Sequence, residues 1–187
     1  MNKFIDFANQ EAIWYGKKVH GSKSEELIPT KMIRFSDSEI SRLIKEPKIL
    51  PVNFQELLRL RPKRGHSEHD IDVKGDDGSD FRLILRQNKI NPLDFSVILA
   101  YRPQETTQQF RLCRYNGKSH QHKNSIENES FYDFHIHKAT ERYQDLGAFE
   151  ESYAEPTSRF SDLSSALRCL LEDCNFQTLR GNYPRLF

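Results

Sequence analysis

The sequence between Ile71 and His137 alternates apolar and polar residues over several short segments, and this pattern constrains the fold more than any other feature. In one segment Phe81, Leu83 and Leu85 are separated by polar or smaller neighbours. Because successive side chains of a strand point to opposite faces of its sheet, such alternation predicts strands with one buried face. About five segments of this kind, joined by short connections, predict an antiparallel meander.

Turn residues and apolar runs place these strands along the chain. The sequence Gly75-Asp76-Asp77-Gly78 predicts a hairpin turn between the first two strands. The run DFSVILAYRP, residues 94–103, is almost entirely apolar, which is typical of a central strand that is covered on both faces. FRLCRYNG, residues 110–117, predicts the next strand, and residues 131–137 predict the last one.

Helix signals lie on both sides of the predicted sheet. Ser36 and Glu39 have the spacing of a capping box ahead of a short helix that Pro47 ends, and residues 52–60 predict a second one. Thr140 is placed to cap one or two helical turns. Residues 158–174 carry a leucine-rich stripe, which predicts a helix packed on one face of the sheet, with Ser161 or Thr157 as its cap. The fold class is therefore α+β.

The chain length of 187 residues predicts one domain. Its segments are an N-terminal helical segment at 1–57 with a short helix in the first dozen residues, the sheet at 66–137, helices at 139–176 and an irregular tail at 177–187. No apolar run reaches the ~20 residues that cross a bilayer, and the first residues lack the pattern of a signal peptide. Three cysteines without CxxC spacing argue against a disulfide framework, so a reducing cytoplasm is predicted.

Four of the seven histidines lie in two His-x-His pairs within residues 114–144. His120 and His122 belong to a polar loop, whereas His135 and His137 belong to the last predicted strand. Residues two apart in a strand share a face, so His135 and His137 are predicted to lie together, on the opposite side from Ile136. The Cα atoms of the two histidines are then about 6.5–7 Å apart, close enough for both rings to meet one phosphate.

The densest basic run of the chain covers residues 58–69 and contains Arg61, Lys63 and Arg64. Pro62 and Gly65 within it predict a loop or a broken strand. Such a run is either a solvated loop or a loop that contacts phosphates, because arginine forks and lysine both bind phosphate oxygens.

The strings LRPKRGH, FRLILRQ, NPLDFSVILAY, RYNGKSHQH and FYDFHIHKATERYQ resemble a family of small, uncharacterised prokaryotic and prophage-type proteins over residues 58–176. A weaker resemblance is to TumE-type toxins of toxin–antitoxin pairs, which carry an Arg-Tyr-Asp/Asn element followed by histidines. The matching positions are Arg114, Tyr115 and Asn116, then His120 and His122. Asn116 stands where these toxins usually have Asp, and the histidine spacing differs. This resemblance implies an activity directed at RNA.

Three interpretations of the histidines are possible. They are hydrogen-bonded residues that shape a binding face, or an acid–base pair that cleaves a phosphodiester, or ligands of a metal such as zinc. Lys118 and Lys123, beside the loop pair, argue against the metal because they would repel a cation. The sequence therefore predicts metal-independent catalysis without a cofactor. The predicted catalytic residues are His120, His122, His135, His137, Arg114, Tyr115, Lys118 and Arg142.

We accordingly expect a cytoplasmic protein that acts on RNA or another phosphodiester, in the manner of a toxin-type endoribonuclease. Arg61, Lys63 and Arg64 are the expected nucleic-acid contacts. The alternative is a non-catalytic binding or inhibitor protein, linked to phage or defence systems. It would use the same surface for a protein partner, such as an antitoxin or a defence component, or for nucleic acid. No membrane partner is expected.

Overall fold

Strands contain more residues than helices in the computed structural model, which describes residues 33–104 and 108–178. In chain order the described strands are β1 Lys48–Leu50, β2 Arg61–Pro62, β3 His66–Lys74, β4 Asp80–Asn88, β5 Phe95–Arg102, β6 Phe110–Asn116, β7 His122–Asn124, β8 Glu129–Phe131, β9 His135–Lys138, β10 Tyr153–Pro156 and β11 Phe176–Thr178. The described helices are α1 Asp37–Lys45, α2 Phe54–Leu57, α3 Glu141–Asp145 and α4 Leu163–Asp173.

The main sheet contains seven of the described strands, in the order β10-β9-β6-β5-β4-β3-β2, and all its neighbours are antiparallel. This confirms the predicted α+β class, with a larger sheet than the expected five strands. The apolar strand β5 is central, as predicted. The two additional strands, β2 and β10, are short and lie at the two edges, where alternation is too brief to be recognised in the sequence.

The segment 131–137, predicted as one strand, is divided between two sheets. Phe131 ends β8 and pairs with His122 in a separate hairpin formed by β7 and β8. His135 begins β9 and pairs with Asn116 in the main sheet. The chain bends between the two strands because each half has its own hydrogen-bonded neighbour, which alternation alone does not reveal.

The helix ends follow their capping chemistry. Ser36 caps α1 as predicted: its hydroxyl accepts from the backbone N–H of Glu39, and its own N–H donates to the Glu39 carboxylate. Thr140 occupies the predicted N-cap position of α3, but its side chain makes no capping hydrogen bond. The cap of α4 is instead Asp162, whose carboxylate accepts from the N–H of Ser165 at 2.8 Å. The expectation of Ser161 or Thr157 was wrong because the carboxylate of Asp162 takes the capping position.

One face of the main sheet packs against α4 and forms the hydrophobic core. Helix α4 contributes leucines that are almost fully buried, and this face of β4, β5 and β6 contributes apolar side chains. Of the eight residues predicted as core, seven are buried, namely Leu83, Leu85, Val97, Leu99, Leu112, Leu167 and Leu170. Phe134 is partly buried against the same cluster.

The described residues all belong to one compact unit. The helix predicted in the first dozen residues and the tail beyond residue 178 lie outside the described residues. Residues 177 and 178, predicted to open that tail, belong to β11, which pairs in parallel with β1. Within residues 33–104 and 108–178, no helix is both long enough and apolar enough to cross a membrane.

Candidate functional site

The register of β6 and β9 assembles the centre of the site. Arg114 lies directly opposite His137, and Asn116 lies directly opposite His135. Residues opposite each other in an antiparallel pair share a face, so these four side chains lie together. Their face is the one turned away from α4, because Tyr115 and Ile136, the neighbours of these residues, belong to the core.

The β7–β8 hairpin brings the other histidine pair to this face. The ring of His122 lies 5.3 Å from that of His135 and 4.8 Å from that of His137, between centroids. The ring of His120 lies 5.8 Å from that of His135. Asn124 fastens the hairpin to β10, since its amide accepts from the N–H and donates to the carbonyl of Ala154. All four predicted histidines therefore belong to one group, which with Arg114 and Asn116 we call the histidine–arginine cluster.

Hydrogen bonds fix the proton on each of the two strand histidines. His135 Nδ1 lies 2.7 Å from the carbonyl oxygen of Asp133, and His137 Nδ1 lies 2.8 Å from that of Glu151. A carbonyl only accepts, so each Nδ1 carries the hydrogen and each Nε2 keeps a lone pair. The side-chain amide nitrogen of Asn116 lies 3.3 Å from one Nε2 and 3.2 Å from the other, and donates towards both.

Burial keeps the strand histidines uncharged. His135 is 0% and His137 is 3% exposed. Desolvation lowers the pKa of His135 to about 4, and desolvation together with the neighbouring Arg114 lowers the pKa of His137 to about 2. Desolvation also lowers the pKa of the half-buried His122, against its hydrogen bond to Asn124. At neutral pH these uncharged rings can accept a hydrogen bond or bind a cation, but His135 and His137 are not in the charged form that acts as an acid.

Four arginines on this face of the sheet are paired directly with carboxylates. Arg82 binds Asp72 at 2.7 Å, Arg86 binds Glu68, Arg102 binds Asp72 at 3.3 Å, and Arg111 binds Glu151 at 2.9 Å. Arg114 lies on the same face, and its nearest ion-pair contact among the described residues is an oxygen of Glu151 at 3.8 Å. Arg114 is therefore less tightly paired than these four arginines.

The guanidinium of Arg114 instead lies against the ring of His137, with one nitrogen 3.3 Å from Nε2. Its Nε is buried and makes no hydrogen bond to any residue that the structure describes. Glu151, which is 2% exposed, partly balances its charge. Arg114 thus has hydrogen-bonding capacity left for an anion.

Three of the predicted catalytic residues lie outside the cluster. Tyr115 is buried on the opposite face, where its hydroxyl donates to Asp173 of α4 at 2.6 Å. The structure places Lys118 at the surface, paired with Asp133 at 3.0 Å.

Arg142 also lies apart, in an ion pair with Glu127 and over the ring of Tyr153. Lys118 and Arg142 are therefore both neutralised by nearby carboxylates.

The predicted phosphate-contacting residues lie at the far edge of the main sheet. Arg61 belongs to the exposed edge strand β2, and Arg64 is exposed in the turn that follows it. Lys63 forms an ion pair with Glu68. Gly65 makes this turn with φ +83°, a left-handed conformation that favours glycine.

Several members of the site were not identified from the sequence. Asn124, Ser96, Arg111 and Glu151 orient or balance the cluster, yet no local motif marks them. Strand register brings Ser96 and Asn116 to the site. Ser96 lies opposite Asn116, and Asn116 lies opposite His135. Glu151 belongs to an irregular segment before β10, so no periodicity of the chain predicts its position.

Comparison with known proteins places most of the chain in one family. The model of a family described as "Family of unknown function (DUF6978)" matches residues 35–176, which span the helices, the main sheet and the cluster. Neither the curated proteins nor the solved structures contain a significant match to the chain.

Proposed function

The chain belongs to DUF6978, a family of unknown function, and from its site we propose that it acts on RNA or another phosphodiester at the histidine–arginine cluster. The observation that carries this proposal is the position of Arg114. Its guanidinium lies 3.3 Å from His137 Nε2, and its ion-pair contact with Glu151 is as long as 3.8 Å. Guanidinium groups bind phosphate oxygens through paired N–H donors, so a phosphate is the anion this site suits best.

The roles of the histidines follow from their exposure. His120 is exposed and His122 is half-buried, so these two rings, with Arg114, contact the substrate in this proposal. His135 and His137 lie behind them and position the site. The metal-independent scheme in which His135 and His137 act as base and acid is not retained, because both rings are neutral at pH 7.

In the catalytic form of the proposal, a neutral imidazole takes the proton of the attacking hydroxyl, a ribose 2′-hydroxyl in RNA. Arg114 stabilises the negative charge that develops on the phosphate oxygens. The exposed His120 is the candidate for the group that returns a proton to the leaving oxygen. This scheme agrees with the RNA-directed activity that the likeness to TumE-type toxins implies.

A second candidate is a non-catalytic protein that uses the same face to bind a partner. It is favoured by the complete burial of His135 and by the hydrogen bonds that both strand histidines make on each ring nitrogen. Buried polar groups satisfied in this way often serve to define a rigid surface. In this form Arg114 contacts an anionic group of the partner, such as an antitoxin or defence component.

The test is cleavage of a mixed-sequence single-stranded RNA by the wild-type protein, Arg114→Gln and Arg82→Gln. The glutamine at 114 keeps a hydrogen-bond donor beside His137 but removes the charge. For Arg114→Gln we expect a rate loss of about 10²-fold, the scale found for loss of one transition-state donor. Arg82 is the matched control because it lies on the same face but is engaged by Asp72 and Asp70.

Equal rates in both variants would contradict the assignment of Arg114. Wild-type protein that binds RNA without cleaving it, with affinity lowered in Arg114→Gln alone, would support the non-catalytic form. If the protein neither binds nor cleaves RNA or a simple phosphodiester, the proposal is wrong.

A further inference from the structure

Three of the four clustered histidines bring their ring nitrogens unusually close together. One nitrogen from each of His122, His135 and His137 lies within 4.8 Å of the corresponding nitrogens of the other two. Two of these rings come from the rigid main sheet and the third comes from the β7–β8 hairpin. Three imidazoles with a fourth position left open is a donor set that zinc commonly takes in proteins.

The outer hydrogen bonds of the three rings leave one lone pair on each. Nδ1–H of His135 and His137 donate to backbone carbonyls, so the lone pair of each ring is on Nε2. The third ring is fixed through Asn124, whose amide oxygen already accepts the N–H of Ala154. His122 Nε2, 3.0 Å from that oxygen, must therefore donate, and in the neutral ring Nδ1 keeps the lone pair. Metal-binding histidines are oriented by outer hydrogen bonds of this kind.

The lone pairs of His135 and His137 accept from the amide nitrogen of Asn116 in this structure. That amide is held from its other side by Ser96, whose hydroxyl donates to the amide oxygen at 2.8 Å. A hydroxyl can also accept, so the amide can turn over without losing Ser96 as a partner. Turned over, Asn116 presents an oxygen to the space between the two Nε2 atoms, where a cation would be held.

The lysines near His122, His135 and His137 do not oppose the binding of a cation. Lys118, which from the sequence argued against a metal, is paired with Asp133. Lys123 follows His122 in a strand and therefore points to the opposite face of the hairpin.

Arg114 remains as the cation of the site, with one guanidinium nitrogen 3.3 Å from His137 Nε2, and it has to turn away from that atom when a metal binds. Glu151 lies beside Arg114 as a countercharge. The second carboxylate oxygen of Glu151 is buried and makes no hydrogen bond within the described part of the chain. A buried carboxylate oxygen without a donor favours positive charge nearby, which includes the charge of a bound metal ion.

We propose that His122, His135 and His137 form a binding site for a transition-metal ion, with zinc as the first candidate and the fourth position taken by water or by the turned Asn116 amide oxygen. Zinc ligands at about 2.0–2.1 Å would lie roughly 3.3 Å from one another, so the rings close together by about 1.5 Å or less on binding. The hairpin that carries His122 is the element that moves. Metal binding at this site does not depend on the proposed function, whereas a catalytic role for the metal rests on it.

The experiment titrates chelator-treated, metal-free protein with Zn²⁺ by calorimetry and with Co²⁺ by visible absorption, in the absence of RNA. We expect one ion per chain and the absorption of a four-coordinate Co²⁺ site. His122→Ala should weaken binding at least ten-fold, on the order of what one ligand supplies, while His120→Ala should bind as the wild type does. His120 is the matched control, because it lies two residues from His122 and belongs to the histidine–arginine cluster but is not one of the three proposed ligands.

A second variant keeps the test valid if His122→Ala disturbs the hairpin. Asn116→Asp places a carboxylate of the same size between the two Nε2 atoms, and we expect it to bind Zn²⁺ more tightly than the wild type. Absence of saturable binding, or equal binding by wild type and His122→Ala, would overturn the metal site.

The catalytic role of the metal is tested separately. RNA cleavage that stops on chelation and is restored by Zn²⁺ supports it. Cleavage that persists in metal-free protein would overturn the catalytic metal and leave the proposed function intact.

Discussion

Each face of the main sheet has a buried region at β6 and β9, and the two regions are buried by different chemistry. On one face Tyr115, Cys113 and Ile136 pack with the leucines of α4 into a continuous apolar core. On the other face Arg114 and His137, from the same two strands, form a polar cluster beneath the β7–β8 hairpin. Apolar burial stabilises a fold without a specific partner, whereas buried polar groups cost free energy unless each is hydrogen-bonded.

This contrast assigns different roles to the two faces. The α4 face stabilises the fold through apolar burial. The cluster face stabilises it less, because it buries uncharged imidazoles beside an arginine. Arrangements that are costly for folding are expected at functional sites. The predictions below test this division, beginning with the largest expected effect.

Leu170→Ala tests the α4 face. Leu170 is 0% exposed and belongs to the core, so its truncation should lower the free energy of unfolding by about 2–5 kcal/mol. Urea unfolding measures the change. The exposed Arg168→Ala on the same helix is the control, with an expected change within about 0.5 kcal/mol. A decrease below about 1 kcal/mol for Leu170→Ala would show that α4 is not packed as described.

The pH dependence of stability tests the cluster face in metal-free protein. The pKa values of His135 and His137 are lowered to about 4 and about 2, whereas both are near 6.5 in the unfolded chain. Below about pH 6.5 the unfolded chain binds protons that the folded chain does not. The free energy of unfolding is therefore highest, as far as these two histidines are concerned, above about pH 6.5. It falls as the pH falls, by up to about 1.4 kcal/mol per pH unit for each histidine.

Unfolding by urea at a series of pH values from neutral to mildly acidic measures this slope, and His137→Asn provides the comparison because asparagine does not titrate. We expect a smaller slope in the variant. Identical slopes in wild type and variant would mean that His137 is not buried in its neutral form.

The fold was more predictable from the sequence than the site. Alternation identified β4 and β6, an almost continuous apolar run identified β5, and the Ser36/Glu39 spacing identified the start of α1. Alternation also placed His135 and His137 on a shared face, as the structure has them. The sequence could not assign Tyr115 to the core, because a tyrosine satisfied by Asp173 has no local signature.

The burial of the histidines could not be predicted from the sequence either. It depends on the β7–β8 hairpin and on Asn124, which acts across thirty positions through hydrogen bonds to Ala154. The pairing partner of each charged side chain also depends on strand register. Lys118 pairs with Asp133 and Arg142 pairs with Glu127, which makes both cations less available to a phosphate, and neither ion pair can be read from the sequence.

The smallest expected effect concerns the basic turn at the edge of the sheet. If Arg61, Lys63 and Arg64 contact phosphates, replacing all three by alanine should flatten the salt dependence of RNA binding, because fewer counterions are released when fewer phosphates are neutralised. Fluorescence anisotropy across a salt series measures the slope. Removal of the exposed Lys45 and Lys74 is a charge-changing control away from this turn. An unchanged slope in the triple variant would identify the turn as a solvated surface.

The most direct test of the account measures RNA cleavage and urea unfolding side by side for Arg114→Gln and Leu170→Ala. If the two faces divide function from stability, Arg114→Gln cleaves about 10²-fold more slowly with a small change in unfolding free energy. Leu170→Ala is then less stable by about 2–5 kcal/mol, while its folded fraction cleaves at the wild-type rate. Parallel decreases of stability and cleavage in both variants would contradict the division between the two faces.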